Sequence, residues 1–217
     1  MSFTGFGPRA TQFFADLAAD NTREWWLANK ARYDTEVRGP LEALLEDLAA
    51  EFGEAKVFRP NRDTRFSNDK TPYKTNAAAV VSDGSGSALY LSLSAEGLHV
   101  GGGAYGLERD QLARYRAAVD DDTSGAALEA IAADLRRAKA TVEGRTELKT
   151  APRGFPVDHP RIALLRYDGV FAMWAYPPRA WLHTPRTVGT VAERWRSLGP
   201  LNDWLARHVG PSTAPQR

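Results

Sequence analysis

Apolar residues recur at helical spacing through the first quarter of the chain. Phe13, Phe14 and Leu17 fall on one helical face, and Leu41, Leu44, Leu45 and Leu48 form an apolar stripe that ends near Gly53. Between them, "NTRE" (Asn21–Glu24) has the form of a capping box. Asn21 is placed to cap and Glu24 stands three residues on. It opens a helix carrying Trp25, Trp26 and Tyr33. Gly39-Pro40 predicts a break there and a fresh start, since proline suits the first helical turn.

After residue 76 the period changes to two. Ala77–Val81, Ala88–Leu93 and Leu98–Gly103 read as short strands, separated by the turn sequences "SDGSGS" and "AEG". Connections this short imply antiparallel neighbours. Helical pattern returns over Leu107–Val119 and about Gly125–Lys139. "TAPRGFPVDHPR" (Thr150–Arg161) is too rich in proline for either element. Gly169–Tyr176 reads as another strand, and Val188–Val209 as a helix that Pro200 kinks or splits. Helices, then strands, then helices predict an α+β fold, with helices packed on an antiparallel sheet. We expect a single domain over residues 1–217.

Composition narrows the class of protein. The chain has 217 residues, 43% hydrophobic and 25% charged, the balance of an ordinary globular protein. No apolar run approaches the roughly 20 residues that span a bilayer. The N-terminal stretch lacks the form of a secretory signal, so a cytoplasmic location is expected, with no membrane partner. The absence of cysteine excludes disulfides, thiolate catalysis and Cys-ligated metal centres.

The net charge of +1 says little until it is divided along the chain. Residues 56–76 hold six Lys and Arg against two Asp, and residues 153–217 hold nine against four acids. The first cluster is the sharper: "FRPNRDTRFSNDKTPYKTN" places Arg59, Arg62, Arg65, Lys70 and Lys74 around Asp63 and Asp69. Two like charges about 4 Å apart repel by roughly 4 kcal/mol at an effective dielectric near 20, so such a cluster demands counter-charge. Guanidinium groups match phosphate and carboxylate in geometry. One reading is an anion site formed by Arg59, Arg62, Arg65, Lys70 and Lys74, supported by Asp63, Asp69 and a hydrogen bond from Tyr73. The other is a salt-bridge network that pins the segment in place. Two conformations are open. An extended chain puts Arg59, Asp63 and Arg65 on one face with Arg62 pointing away. A helical turn from Pro60 instead aligns the three arginines and pairs Asp63 with Arg59. Asp63, flanked by arginines, is expected to have a depressed pKa.

The same stretch resembles the signature of a bacterial family catalogued as domain of unknown function 2461. The matching positions are Arg59, Arg62, Asp63, Arg65, Phe66, Asp69, Lys70 and Tyr73. "FTGFGPRATQFFADLAADNTREWW" and "TAPRGFPVDHP" are further landmarks of the resemblance. It implies family membership and carries no activity with it.

Other motifs are weaker. "GGGAYG" (Gly101–Gly106) matches G-x-G-x-x-G, but a dinucleotide fingerprint needs a parallel βαβ unit, and the strands here read as an antiparallel meander. A bulge, a tight exit from the sheet or close backbone approach explains these glycines better. The histidines form no close ligand pair, so no metal is expected, and no cofactor. His159, in "DHPR", is the one to inspect. Trp174, Tyr176, Trp181, Trp195 and Trp204 alternate with arginines, a feature of nucleic-acid binders, yet their spacing fits core packing. The sequence therefore points to an anionic small molecule at Arg59–Lys74, within an Arg59–Lys74 segment edging a cleft. The alternatives are a non-enzymatic interaction or scaffold module, and third, a nucleic-acid-binding protein. No residue stands out as a nucleophile.

Overall fold

The structure is a computed structural model and describes residues 2–63, 65, 69–82 and 84–214. Its element order is α1 (Ala10–Ala19), α2 (Arg23–Tyr33), α3 (Gly39–Phe52), β1 (Ala55–Val57), β2 (Asn76–Val81), β3 (Ala88–Ser94), β4 (Gly97–Ala104), α4 (Arg109–Asp120) and α5 (Asp122–Arg137). There follow β5 (Thr141–Glu143), α6 (Ile162–Leu165), β6 (Val170–Tyr176), α7 (Arg186–Ser197) and α8 (Gly199–His208). The strands form one antiparallel sheet in the order β1-β2-β3-β4-β6-β5. The fold is α+β. In register, Ala55 faces Val81 and Val57 faces Ala79 at one edge, while Thr141 faces Met173 and Glu143 faces Phe171 at the other.

The chain divides into two compact units. The first comprises Met1–Val81, Tyr90–Val100 and Ala175–Glu193, and the second comprises Ser82–Leu89, Gly101–Trp174 and Arg194–Arg217. In the first unit, the predicted apolar faces form the core: Phe13, Phe14, Leu17, Leu41, Leu44 and Leu48 are buried. The Phe13 ring lies 6.0 Å from Trp26 and 5.5 Å from Tyr33. In the second unit, Tyr115, Leu128, Leu165 and Trp204 are buried, and each polar handle is satisfied. The Tyr115 hydroxyl donates to the Leu164 carbonyl and the Trp204 indole N–H to the Ser124 carbonyl.

Two expectations about the first unit need correction. Thr22, not Asn21, caps α2. Its hydroxyl accepts from the Trp25 N–H, which is the third helical residue. Asn21 is engaged elsewhere. The Gly39-Pro40 pair does not break the helix either. Asp34–Arg38 forms a wider π-helical turn in which the Gly39 N–H donates to the Asp34 carbonyl, and the path continues into α3. Pro40 falls in the first turn of α3, where no intrahelical N–H is demanded of it. Pro200 acts as predicted: the C-terminal helix is split into α7 and α8, with Pro200 at the start of α8.

Gly101, Gly102 and Gly103 are part of β4, an antiparallel strand, so the parallel context of a dinucleotide fingerprint is not formed around them. A Cβ on Gly102 would stand 2.5 Å from the Ala88 carbonyl oxygen, and one on Gly103 would stand 2.5 Å from the Val170 carbonyl oxygen. Gly103 also has φ +123°, a conformation open to glycine. Close backbone approach is the reason for these residues.

Candidate functional site: a basic hairpin

The basic segment is an extension of the β1–β2 hairpin. Beyond β1, the Phe58 N–H donates to the Ala78 carbonyl. Further out, Asn61 and Tyr73 form an isolated antiparallel bridge. The Arg62 N–H donates to the Pro72 carbonyl at 2.9 Å and the Lys74 N–H to the Pro60 carbonyl at 2.8 Å. Residues 55–62 and 72–81 thus make one two-stranded ribbon, with the cations on it and at its far end. The extended alternative holds and the helical turn from Pro60 does not form. Two prolines stand on the ribbon without loss, because their carbonyls accept its cross-strand bonds.

The charged side chains differ in exposure and in the contacts they make. Asp63 receives a bidentate grip from Arg65, Nε to Oδ1 at 3.0 Å and Nη2 to Oδ2 at 2.7 Å, together with the Arg65 N–H. Those hydrogen bonds hold the Asp63 carboxyl below its ordinary pKa. The Arg65 side chain is nevertheless 76% exposed. Arg62 reaches across the hairpin to Asp69, Nη1 to Oδ2 at 2.9 Å, and is 27% exposed. Its Nε is buried without a hydrogen-bond partner among the described residues. Asp69 also accepts from the Thr71 N–H and hydroxyl, which with Arg62 depress its pKa. Arg59 is exposed, with no carboxylate at ion-pair distance among the described residues. Lys70 is exposed. The Lys74 ammonium sits 5.3 Å from the centroid of the Phe58 ring, a cation–π contact. Phe66 lies outside the described residues.

The hairpin is seated on α2. The Tyr73 ring is buried and stacks on Trp26, with centroids 4.4 Å apart and planes 12° from parallel. The Asn21 side-chain amide donates to the Tyr73 carbonyl and its oxygen accepts the Tyr73 N–H, each at 3.0 Å. Neither contact was visible in the sequence. Asn21 sits beside a capping threonine and is itself a good capping residue, which hides its long-range role.

His159 has a structural role. His159 is buried. Its Nδ1 accepts from the Arg161 N–H, so its Nε2 carries the proton and donates to Asp120 at 3.1 Å. Arg161, 7% exposed, donates to the Val119 and Asp120 carbonyls at the end of α4 and to Asp122. That explains "DHPR" as a helix-end clasp. Trp174, Trp195 and Trp204 are buried, so they present no stacking platform. A groove of about 490 Å³ lies in the second unit between α5 and α8, lined by Thr123, Ala127, Ile131, Pro200, Trp204 and His208 among others. No residue of the basic hairpin lines it. Among the described residues no cluster of His, Asp or Glu is arranged to hold a metal ion, and no helix is long and apolar enough to cross a membrane.

A family model described as "Conserved hypothetical protein (DUF2461)" matches residues 9–204. No curated protein and no solved structure matches the chain.

Proposed function

Since the chain belongs to the DUF2461 family, whose description names no activity, we propose from the site itself that the basic hairpin binds a phosphate-bearing or other anionic small ligand. Arg59, Arg62, Arg65, Lys70 and Lys74 are the anion-binding residues. Asp63 and Asp69 hold two of the arginines in place. The observation that carries the reading is the imbalance on the ribbon. Both carboxylates are already taken by Arg65 and Arg62, while Arg59 is exposed with no carboxylate at ion-pair distance among the described residues. An anion there relieves mutual repulsion and gains charge-assisted hydrogen bonds. The Nε of Arg62, buried without a hydrogen-bond partner among the described residues, is a further unmet donor beside the site. Tyr73 contributes through its main chain and its stacked ring, which hold the ribbon. If the bound anion is also turned over, the hairpin works by positioning and electrostatic stabilisation.

A second reading rests on the two ion pairs. Arg62–Asp69 spans the hairpin and Arg65–Asp63 braces it, as in an interaction module whose charges are internal fastenings. A thermal-shift panel separates the two. It contains phosphate, sulfate, nucleotides, sugar phosphates and short RNA and DNA at two salt concentrations, against wild type and Arg59→Ala. A ligand at about 100 times its Kd adds roughly 2.7 kcal/mol, which raises Tm by about 5–10 °C for a chain of this size. We expect a small phosphate compound to stabilise wild type and to lose that effect in Arg59→Ala. A panel with no stabiliser sinks the proposal. Stabilisation by RNA or DNA alone, steeply weakened by salt, transfers the site to nucleic acid.

A further inference from the structure

We infer that Asn21 is a positioning residue for the basic hairpin, acting on the cations through the main chain of Tyr73. Its relevance to ligand binding rests on the anion-site reading above; its effect on the hairpin does not. Tyr73 is the hub of the ribbon's outer half. On one side it is bridged to Asn61, and the flanking bonds run from the Arg62 N–H to the Pro72 carbonyl and from the Lys74 N–H to the Pro60 carbonyl. On the other side it meets Asn21, whose amide supplies one donor and one acceptor at 3.0 Å each, as a neighbouring strand would. The Asn21 side chain therefore occupies the place of a third strand for one residue. Tyr73 has no freedom to slide: a shift of one residue would strand both amide groups and turn its ring away from Trp26.

Two cationic residues of the site inherit this restraint. Arg62 and Lys74 are bonded directly across the ribbon next to the Asn61–Tyr73 bridge, so their Cα–Cβ directions are set there. The start of α2 fixes Asn21 in turn. The neighbouring Thr22 caps the helix, and Trp26, one turn on, is buried under the Tyr73 ring. Residues 21–26 and the ribbon of residues 55–62 and 72–81 are thus two halves of one device, a footing and the hairpin it seats.

The test compares wild type with Asn21→Ala and Asn21→Asp. The aspartate keeps the acceptor for the Tyr73 N–H and loses the donor to its carbonyl. Residue-resolved hydrogen exchange reads the Arg62 and Lys74 amides, with Leu91 and Leu93 of β3 as internal controls. Isothermal titration with inorganic phosphate and pyrophosphate reads the site. In Asn21→Ala we expect protection at Arg62 and Lys74 to fall about 10-fold or more with the controls unchanged, and affinity to fall by a similar factor. Asn21→Asp should fall between, and it carries the test should Asn21→Ala fail to fold. Unchanged exchange at Arg62 and Lys74 overturns the inference whatever the ligand does. Exchange lost with affinity intact overturns its link to binding. Exchange lost in the variants, with no binding by wild type, upholds the footing and overturns the anion site instead.

Discussion

Replacing Arg62 with methionine separates binding from folding, because the structure assigns opposing contributions to its guanidinium. Arg62→Met keeps the aliphatic stem and removes the charge. The lost ion pair joins a side chain 27% exposed to an Asp69 side chain 48% exposed. Pairs of that kind contribute about 0.2–1 kcal/mol. Against this, the buried Nε has no partner among the described residues, and an unmet buried donor costs about 1–3 kcal/mol. The substitution removes that cost. Asp69 is not stranded, since the Thr71 N–H and hydroxyl still donate to it. The net lies between about zero and a gain of about 3 kcal/mol. For a chain of this size 1 kcal/mol corresponds to about 2–4 °C in Tm. Thermal unfolding of Arg62→Met should therefore show a Tm at or above that of wild type. Titration with inorganic phosphate should show affinity reduced about 10-fold or more, the loss of one charge-assisted donor. A Tm lowered by more than about 8 °C would refute the reasoning, since it would make the guanidinium a fastening of the fold.

Gly102→Ala should destabilise the protein by about 1–3 kcal/mol or more in urea unfolding, because the new methyl would meet the Ala88 carbonyl oxygen at 2.5 Å and Leu198 Cδ1 at 2.9 Å. Wild-type stability in that variant would show that the β4 glycines are not required for close approach. Asp63 should titrate below its ordinary value of 3.8 in a carboxyl-carbon NMR experiment, and Arg65→Gln should raise it toward that value. Because the folded pKa is depressed, the Arg65–Asp63 contribution is present above 3.8 and is lost as pH falls through the folded value. An unchanged midpoint in Arg65→Gln would exclude the bidentate contact as the cause.

Local pattern carried far in this chain. Phe13, Phe14 and Leu17, and Leu41 through Leu48, announced their helices because amphipathic spacing is written into neighbouring residues. β2, β3 and β4 were legible from alternation and from turn chemistry at "SDGSGS" and "AEG". The three-residue strands β1 and β5 were not, since three residues show no period. The basic motif was visible as composition, and its extended conformation was one of two readings that local sequence left open.

What local sequence could not contain was partnership at a distance. The Gly39-Pro40 break did not occur because tertiary burial of Val37 and Leu41 carries the helical path through a π turn. Asn21 reads as a cap by propensity, yet its amide meets the main chain of a residue 52 positions away. Arg62 was free to choose between Asp63 and Asp69 until the hairpin closed and brought Asp69 opposite it. The sequence by itself determined the longer elements, the α+β class and the placement of charge, because each depends on side chains within a few residues. Which cation is paired, which is exposed and what the hairpin stands on were decided only by the tertiary structure. Hydrogen bonds and ion pairs act over about 3 Å, and the chain path alone brings distant groups within that reach.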